Sequence, residues 1–116
     1  MPHASVSPET RQCIDDCLAC ASVCHETVRH CLELGGEHAA PDHIASLLDC
    51  AEICLTSANF MSRGSGMSAQ ICEACAEACE RCAKACERFD DDVMRRCAEV
   101  CRRTAESCRR MARVAA

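Results

Sequence analysis

Residues 72–86 read CEACAEACERCAKAC, and the spacing of their cysteines decides the fold. These cysteines follow one another at steps of three, four, three and four residues. Such steps alternate between the a and d positions of a heptad, the two positions that face the axis of a helical bundle. The stretch therefore predicts an α-helix with one face lined by thiols. The cysteines on that face are Cys72, Cys75, Cys79, Cys82 and Cys86.

The other cysteines of the 15 in the chain follow the same rule in three further segments. Each of them fits an a or d position, so the sequence predicts four helices whose thiol-lined faces meet. We call these inward-facing positions the seam. The remaining seam cysteines are Cys13, Cys17, Cys20, Cys24 and Cys31 in the first segment, Cys50 and Cys54 in the second, and Cys97, Cys101 and Cys108 in the fourth.

Capping and turn residues separate these segments. Ser7 followed by Pro8 is typical of a helix N-terminus, and Gly35-Gly36 is typical of a C-terminus. Gly64-Ser65-Gly66 marks a turn, and Asp90-Asp91-Asp92 provides candidate N-caps for the last helix. The predicted helices run over about 8–34, 42–62, 67–89 and 91–113.

Short connections make consecutive helices antiparallel neighbours. The fold class that we predict is therefore all-α: one antiparallel, up-down-up-down four-helix bundle with a Cys-lined core, formed by residues 1–116. A chain of 116 residues has the usual length of one domain.

The composition is unusual for such a core. Trp and Tyr are absent, and Phe60 and Phe89 are the only phenylalanines. One or two buried cysteines commonly act as small hydrophobic residues. Burial of apolar surface stabilises a fold by roughly 25 cal/mol per Å², and a cysteine side chain buries less surface than leucine or isoleucine. A seam of fifteen cysteines therefore contributes less stability than an ordinary apolar core. We therefore expect a bound metal to contribute to the stability of the core.

Several features indicate that the thiols are reduced. The count of 15 is odd, and Met1 to Gln12 contain neither an apolar run nor a twin-arginine signal. Residues four apart on a helix have Cβ atoms about 5–6 Å apart, whereas a disulfide requires about 3.5–4.5 Å. These features predict a cytoplasmic protein with free thiols.

Two classes of partner are not expected. The formal net charge is −5, and no cluster of basic and aromatic residues suggests nucleic-acid binding. We also judge that no stretch is long and apolar enough to span a membrane.

The thiols leave three candidate metals, because soft thiolates select Cu(I), Zn(II) or iron–sulfur clusters. Charge favours Cu(I): one monovalent ion per thiolate leaves the interior neutral, whereas four thiolates around Zn(II) leave two negative charges buried. Iron–sulfur sites usually draw on loop spacings that are absent here. Pairs of cysteines four apart on one helix are close enough to share an ion: Cys13 with Cys17, Cys20 with Cys24, Cys50 with Cys54, Cys75 with Cys79, Cys82 with Cys86, and Cys97 with Cys101.

We predict a store for multiple Cu(I) ions and no enzymatic activity. Three alternatives stay open at this point. The first is a zinc or general soft-metal sink resembling metallothionein. The second is a thiol-based or metal-dependent oxidoreductase, which requires an exposed cysteine of low pKa. The third is a Cys-rich structural bundle that holds no metal.

The motifs CxxxCxxCxxxC at residues 13–24 and CxxCxxxCxxCxxxC at residues 72–86 resemble those of the bacterial copper storage proteins. The resemblance extends from Cys13 to Met111. It implies a four-helix bundle in which the matching cysteines are direct Cu(I) ligands. It also implies the cytosolic kind of member, which lacks an export signal, and assembly as a tetramer.

A second apolar stripe accompanies the cysteines of the first two helices. We expect it to form an exposed patch, and such patches usually mark an interface. We therefore predict a homo-oligomer built through helices one and two. The stripe comprises Ile14, Leu18, Ala21, Val28 and Leu32, followed by Ile44, Leu48, Ala51, Leu55 and Ala58.

Antiparallel packing predicts which residues lie at the ends of the bundle. One end is expected to contain Cys31, His43, Cys86, Phe89 and Met94, and the other Cys13, Met61, Cys72 and Met111. We predict that His43 and Met94 are additional ligands at the copper entrance, since imidazole and thioether bind without losing a proton. His3, His25, His30 and His38 are expected to be solvated, with an oligomer contact as the alternative for His25 and His30.

Overall fold

The computed structural model of the protein describes residues 6–114. It contains four α-helices, and each contacts its two neighbours in a closed ring. The predicted antiparallel four-helix bundle is therefore confirmed. The helices are α1 (Pro8–Leu34), α2 (Pro41–Ser62), α3 (Ser68–Glu87) and α4 (Asp92–Val114), with a short 3-10 segment, Gly36–Ala39, between α1 and α2.

The helix ends lie close to the predicted capping residues. The Ser7 side chain accepts a hydrogen bond from the Thr10 backbone N–H at 3.1 Å, and Asp91 accepts one from the Met94 N–H at 2.9 Å. Gly35 ends α1 with a φ of 73°, a left-handed conformation that favours glycine. α3 ends at Glu87, two residues before the predicted end.

The length and hydropathy of α2 differ from what we inferred from the sequence. It has 22 residues and an 18-residue window of mean hydropathy 1.3, so it is long and apolar enough to cross a membrane by length and composition. The prediction that no stretch meets these criteria was wrong. His43, Cys50 and Cys54 of this helix are buried inside the bundle. One such helix is weak evidence for a membrane location, because core helices meet the same criteria.

The seam is continuous along all four helices, and residues other than cysteine occupy part of it. Leu47 and Thr27 interrupt the thiols toward the Cys31 end, while Ser57 and Thr104 occupy other seam positions. The Thr27 and Thr104 hydroxyls each donate to the carbonyl oxygen four residues earlier in the same helix, at 2.7 and 2.9 Å. A hydroxyl is therefore tolerated on the seam when its own helix accepts its hydrogen bond.

α3 and α4 pack closely through alanines. Ala76 and Ala83 of α3 and Ala98 and Ala105 of α4 are buried beside the seam. Outside the alanines, two ion pairs connect the helices. Glu80 accepts from Arg109, and Glu87 accepts from Arg102, each through two hydrogen bonds of 2.7–3.2 Å. The outer face of this helix pair is consequently polar.

The predicted apolar stripe of α1 and α2 divides into three sets, of which the smallest, Val28 and Ile44, is partly buried against the core. Ile14, Ala21, Ala51 and Ala58 are buried and belong to the core, which corrects the prediction for these residues. Four leucines remain on the surface. They are exposed by 46% at Leu18, 57% at Leu32, 43% at Leu48 and 42% at Leu55.

Candidate metal centre

All 15 cysteines are buried and unpaired, as the heptad spacing predicts. The closest thiols lie on different helices. Cys50 Sγ and Cys79 Sγ are 3.6 Å apart, and Cys54 Sγ is 3.7 Å from both Cys75 Sγ and Cys79 Sγ. Such distances exceed a disulfide bond of about 2.05 Å and allow one ion to bridge two sulfurs at about 2.3 Å each.

Among the described residues there are six groups of potential metal ligands, and five of them consist of three or four thiols whose sulfur atoms all lie within 4.8 Å of one another. Most of the i,i+4 pairs predicted from the sequence lie within these groups, but thiols from other helices complete every group. The groups are Cys13, Cys17 and Cys108; Cys17, Cys54 and Cys75; Cys20, Cys50, Cys54 and Cys79; Cys20, Cys24, Cys50 and Cys101; and Cys24, Cys82, Cys97 and Cys101.

Neighbouring groups share cysteines, so they form one uninterrupted column along the bundle. Cys17 connects the first two groups, Cys54 the second and third, and Cys20 with Cys50 the third and fourth. Cys24 and Cys101 connect the fourth group with the fifth. An ion in one group is therefore always adjacent to ligands of the next.

Hydrogen bonds among the thiols lower the pKa of some cysteines and raise that of others. The pKa of Cys50 is lowered, chiefly through side-chain interactions with Cys101, Cys20 and Cys24. The pKa of Cys101 is raised, chiefly through its side-chain hydrogen bonds with Cys20, Cys24 and Cys50. The column can therefore lose some protons before others, and a cation that replaces the remaining protons removes the cost of burying charge.

The end of the bundle nearest Asp91 contains the predicted set of soft ligands. Cys31 Sγ lies 3.6 Å from His43 Nε2 and 3.6 Å from Met94 Sδ. Burial, with additional repulsion from Asp91 and Cys97, raises the pKa of Cys31 to about 11. Burial lowers the pKa of His43, which favours the neutral imidazole that a metal requires.

A cap of aromatic and polar side chains covers this end. The Phe89 ring centroid is 4.9 Å from that of His43 and 4.2 Å from that of His38. Asp91 lies 2.7 Å from His38 Nε2 and 3.5 Å from His30 Nε2. The prediction that His30 and His38 are solvated was wrong, because both are half-buried against Asp91. His25 is exposed on α1, and His3 lies outside the described residues.

The opposite end is built differently. Cys13, Cys72 and Cys108 lie there with Met61 and Met111, as antiparallel packing predicts. The Thr10 hydroxyl donates to Met111 Sδ at 3.6 Å. Ser57, at a seam position of α2, is buried, and its hydroxyl has no hydrogen-bond partner among residues 6–114. The polar seam residues Thr27, Ser57 and Thr104 were not predicted, although each lies three residues after a seam cysteine and so at the next a or d position of the heptad.

Comparison with known proteins identifies relatives across the whole bundle. The family described as "Copper storage protein" matches residues 6–113. The structure is similar to the Nmul_A1745 protein from Nitrosospira multiformis, with 46% identity, a TM-score of 0.87, and coverage of 91% of this chain and 96% of that one.

Two relatives are described as copper storage proteins. The Cu(I)-bound protein BsCsp3 is 34% identical, with a TM-score of 0.85 and coverage of 90% of this chain and 98% of that one. A cytosolic copper storage protein from Streptomyces lividans is 29% identical, with a TM-score of 0.84 and coverage of 90% and 92%.

A curated relative from Bacillus subtilis, the uncharacterized cysteine-rich protein YhjQ, is 35% identical over 65 residues. These residues are 56% of this chain, and the chain spans 60% of that relative's length. The family match, the bundle architecture and the thiol-lined interior agree with one another, and we conclude that this chain belongs to the copper storage protein family.

Proposed function

We propose that the protein stores multiple Cu(I) ions through the thiolates of its 15 seam cysteines. The overlapping thiol groups carry this proposal, because ions in adjacent groups must bridge shared sulfurs. Cu(I) accepts two or three thiolates and leaves the column neutral at about one ion per thiol. The Cu(I)-bound state of BsCsp3 and the five coppers described for the Streptomyces lividans protein support the same cargo.

The geometry disfavours zinc as the stored ion. Each Zn(II) in a structural site takes four ligands, and four thiolates around it retain two negative charges. Zinc in neighbouring groups, at four thiolates per ion, would place like charges close together in a buried interior. We infer that zinc fills at most isolated groups.

The absence of an exposed cysteine argues against an oxidoreductase. Each cysteine has an exposed fraction of at most 1%, and attack on an external disulfide requires an accessible thiolate. The protein in this proposal is a reversible store that does not turn over a substrate. Thiols in this number also stay reduced only in a reducing compartment, which supports a cytoplasmic location.

Cys31, His43 and Met94 are proposed as the ligands that receive Cu(I) first. They form a compact set of thiol, imidazole and thioether at one end of the seam, and Cys31 is close enough to Cys97 of the column that, besides burial, the Cys97 charge raises its pKa. The neutral His43 and Met94 bind without proton loss, so an arriving ion needs to displace only the Cys31 proton.

An anaerobic titration tests the stored cargo. We expect fully reduced protein to bind roughly one Cu(I) per cysteine before a chromophoric Cu(I) chelator gains colour, because charge neutrality sets that limit. Elemental analysis of the isolated complex provides an independent ion count. A parallel zinc titration is the control: saturation at one or two Cu(I) ions, or tighter loading by zinc, would contradict a copper store.

The outer face of α1 and α2 is proposed as the interface between copies of the chain. Each of the four exposed leucines directly follows a seam residue in the sequence. The residues at the same heptad position on the α3–α4 pair are charged: Glu80, Glu87, Arg102 and Arg109. The same bundle therefore has one polar outer face and one apolar outer face. Assembly as a tetramer, the state implied by the family resemblance, would remove the leucines from water.

Replacing Leu55 by glutamate should dissociate the oligomer. The wild type is expected to show about four times the 12.6 kDa chain mass by size-exclusion chromatography with light scattering. Leu55→Glu is expected to approach the mass of one chain, because a charge would be buried in each copy of the interface. Ala74→Glu, on the exposed face of α3, is the matched control. A wild type that elutes as a single chain would refute this interface.

A further inference from the structure

The end of the bundle at Met61 and Met111 has the features of a second copper port. Both thioethers lie on the seam beyond the last thiols, next to Cys13, Cys72 and Cys108. Met111 is 6% exposed and Met61 3%, whereas Cys31 and Met94 at the capped end are fully buried. Soft ligands therefore reach closer to the surface at this end.

Three thiols lie directly behind the thioethers. Cys13 Sγ is 3.8 Å from Cys108 Sγ, which is 3.7 Å from Cys17 Sγ. Cys17 belongs to the next group of the column. An ion can thus move from the column to Cys13 and Cys108, and from there to Met111, three residues farther along α4.

Met111 opens into a groove of about 320 Å³ between the start of α1 and the end of α4. Arg110 and Arg113 line this groove together with Glu9 and Gln12. Arg110 donates to the Ser107 hydroxyl at 3.3 Å, which holds its side chain along the groove. Guanidinium groups bind carboxylates, and a thioether next to them holds Cu(I) more weakly than a thiolate does.

Building on the proposed storage of Cu(I), we propose that this groove releases the ion to a low-molecular-weight thiol that carries carboxylates. The entering thiol loses its proton and forms a Cu–S bond, while the bond from copper to Met111 breaks. The bond from copper to Cys13 or Cys108 breaks next, and that thiolate takes up the released proton. No electrons are transferred, and copper remains Cu(I).

The test uses copper-loaded protein of the full chain, with reduced glutathione as the probe thiol and a chromophoric chelator as final acceptor. Glutathione diethyl ester has the same thiol without the carboxylate charges. We expect glutathione to accelerate release more than the ester does. In Arg110→Gln/Arg113→Gln the ratio of the release rate with glutathione to that with the ester should fall about threefold or more, as expected for the loss of two exposed ion pairs. Arg96→Gln/Arg103→Gln, also on α4, is the charge-matched control.

A second variant tests the thioether. Met111→Leu conserves volume and is expected to slow thiol-dependent release about tenfold, as the loss of a relay ligand would. Met67→Leu, an exposed methionine outside the seam, is the control. Uptake rates are measured on the same proteins, together with Met94→Leu, for which slower uptake is expected at the opposite end.

The outcomes separate this inference from the storage proposal. A wild type that does not take up Cu(I) would refute storage itself. Normal uptake with equal release by wild type and Met111→Leu, or loss of release in Met94→Leu instead, would overturn the second port. If circular dichroism shows that Met111→Leu does not fold, the Arg110→Gln/Arg113→Gln variant still tests the proposal. The groove is rejected as the release site if this variant and the wild type prefer glutathione over its ester to the same extent.

Discussion

Serine in place of Cys101 is expected to lower the equilibrium capacity by more than one Cu(I). Cys101 belongs to two overlapping groups, and its Sγ lies 3.9 Å from both Cys20 Sγ and Cys50 Sγ and 4.0 Å from Cys24 Sγ. Because bridged ions share this sulfur, we expect a loss of about two to four ions. Anaerobic titration followed by elemental analysis measures this loss.

The substitution should preserve the fold. A serine hydroxyl at position 101 can donate to the carbonyl four residues earlier, as the seam residues Thr27 and Thr104 already do. Cys31→Ser is the matched control, because the Cys31 thiol contacts His43 and Met94 rather than another thiol at close range. It should lose about one ion. Equal losses in the two variants would contradict a column of shared ligands.

Copper loading is expected to raise the melting temperature by about 20 °C or more. A ligand at one hundred times its Kd stabilises the native state by about 2.7 kcal/mol per site, and several sites are filled here. For a chain of this size, each kcal/mol corresponds to roughly 4 °C. The unloaded core makes a large shift possible, because its seam consists of small thiols and its two phenylalanines are only half-buried.

Calorimetry of metal-free and loaded protein under anaerobic conditions measures the shift. Removal of copper by a strong chelator should return the melting temperature to that of the metal-free protein. Cys101→Ser should show a smaller increase than wild type, in proportion to its lost ions. A melting temperature independent of copper would mean that the ion does not bind preferentially to the folded bundle.

The seam was predictable from sequence because thiols mark it more clearly than an ordinary apolar pattern would. Steps of three and four residues determine which face of a helix points inward, and Ser7 and Asp91 cap α1 and α4 as predicted. The position of Cys31, His43 and Met94 at the same end of the bundle also follows from antiparallel packing alone. The confirmed features are those governed by local periodicity and by short connections.

Other features depended on which helices meet and could not be derived one helix at a time. Ile14 and Leu18 are four residues apart in the same stripe, yet Ile14 is buried in the core and Leu18 is exposed. The contact of His30 and His38 with Asp91 joins segments far apart in sequence. α2 meets the length and hydropathy criteria for a membrane helix, because these criteria do not take into account that one side of the helix is buried inside the bundle.

The shared cysteines of the column have a consequence for the order in which ions leave. A narrow store with one opening operates as a stack, in which the last ion to enter is the first to depart. A column with a receiving set at Cys31 and a releasing end at Met111 operates as a queue, in which older ions advance as new ones arrive. Each stored ion then has a limited age, and the content of the store is renewed whenever copper passes through it.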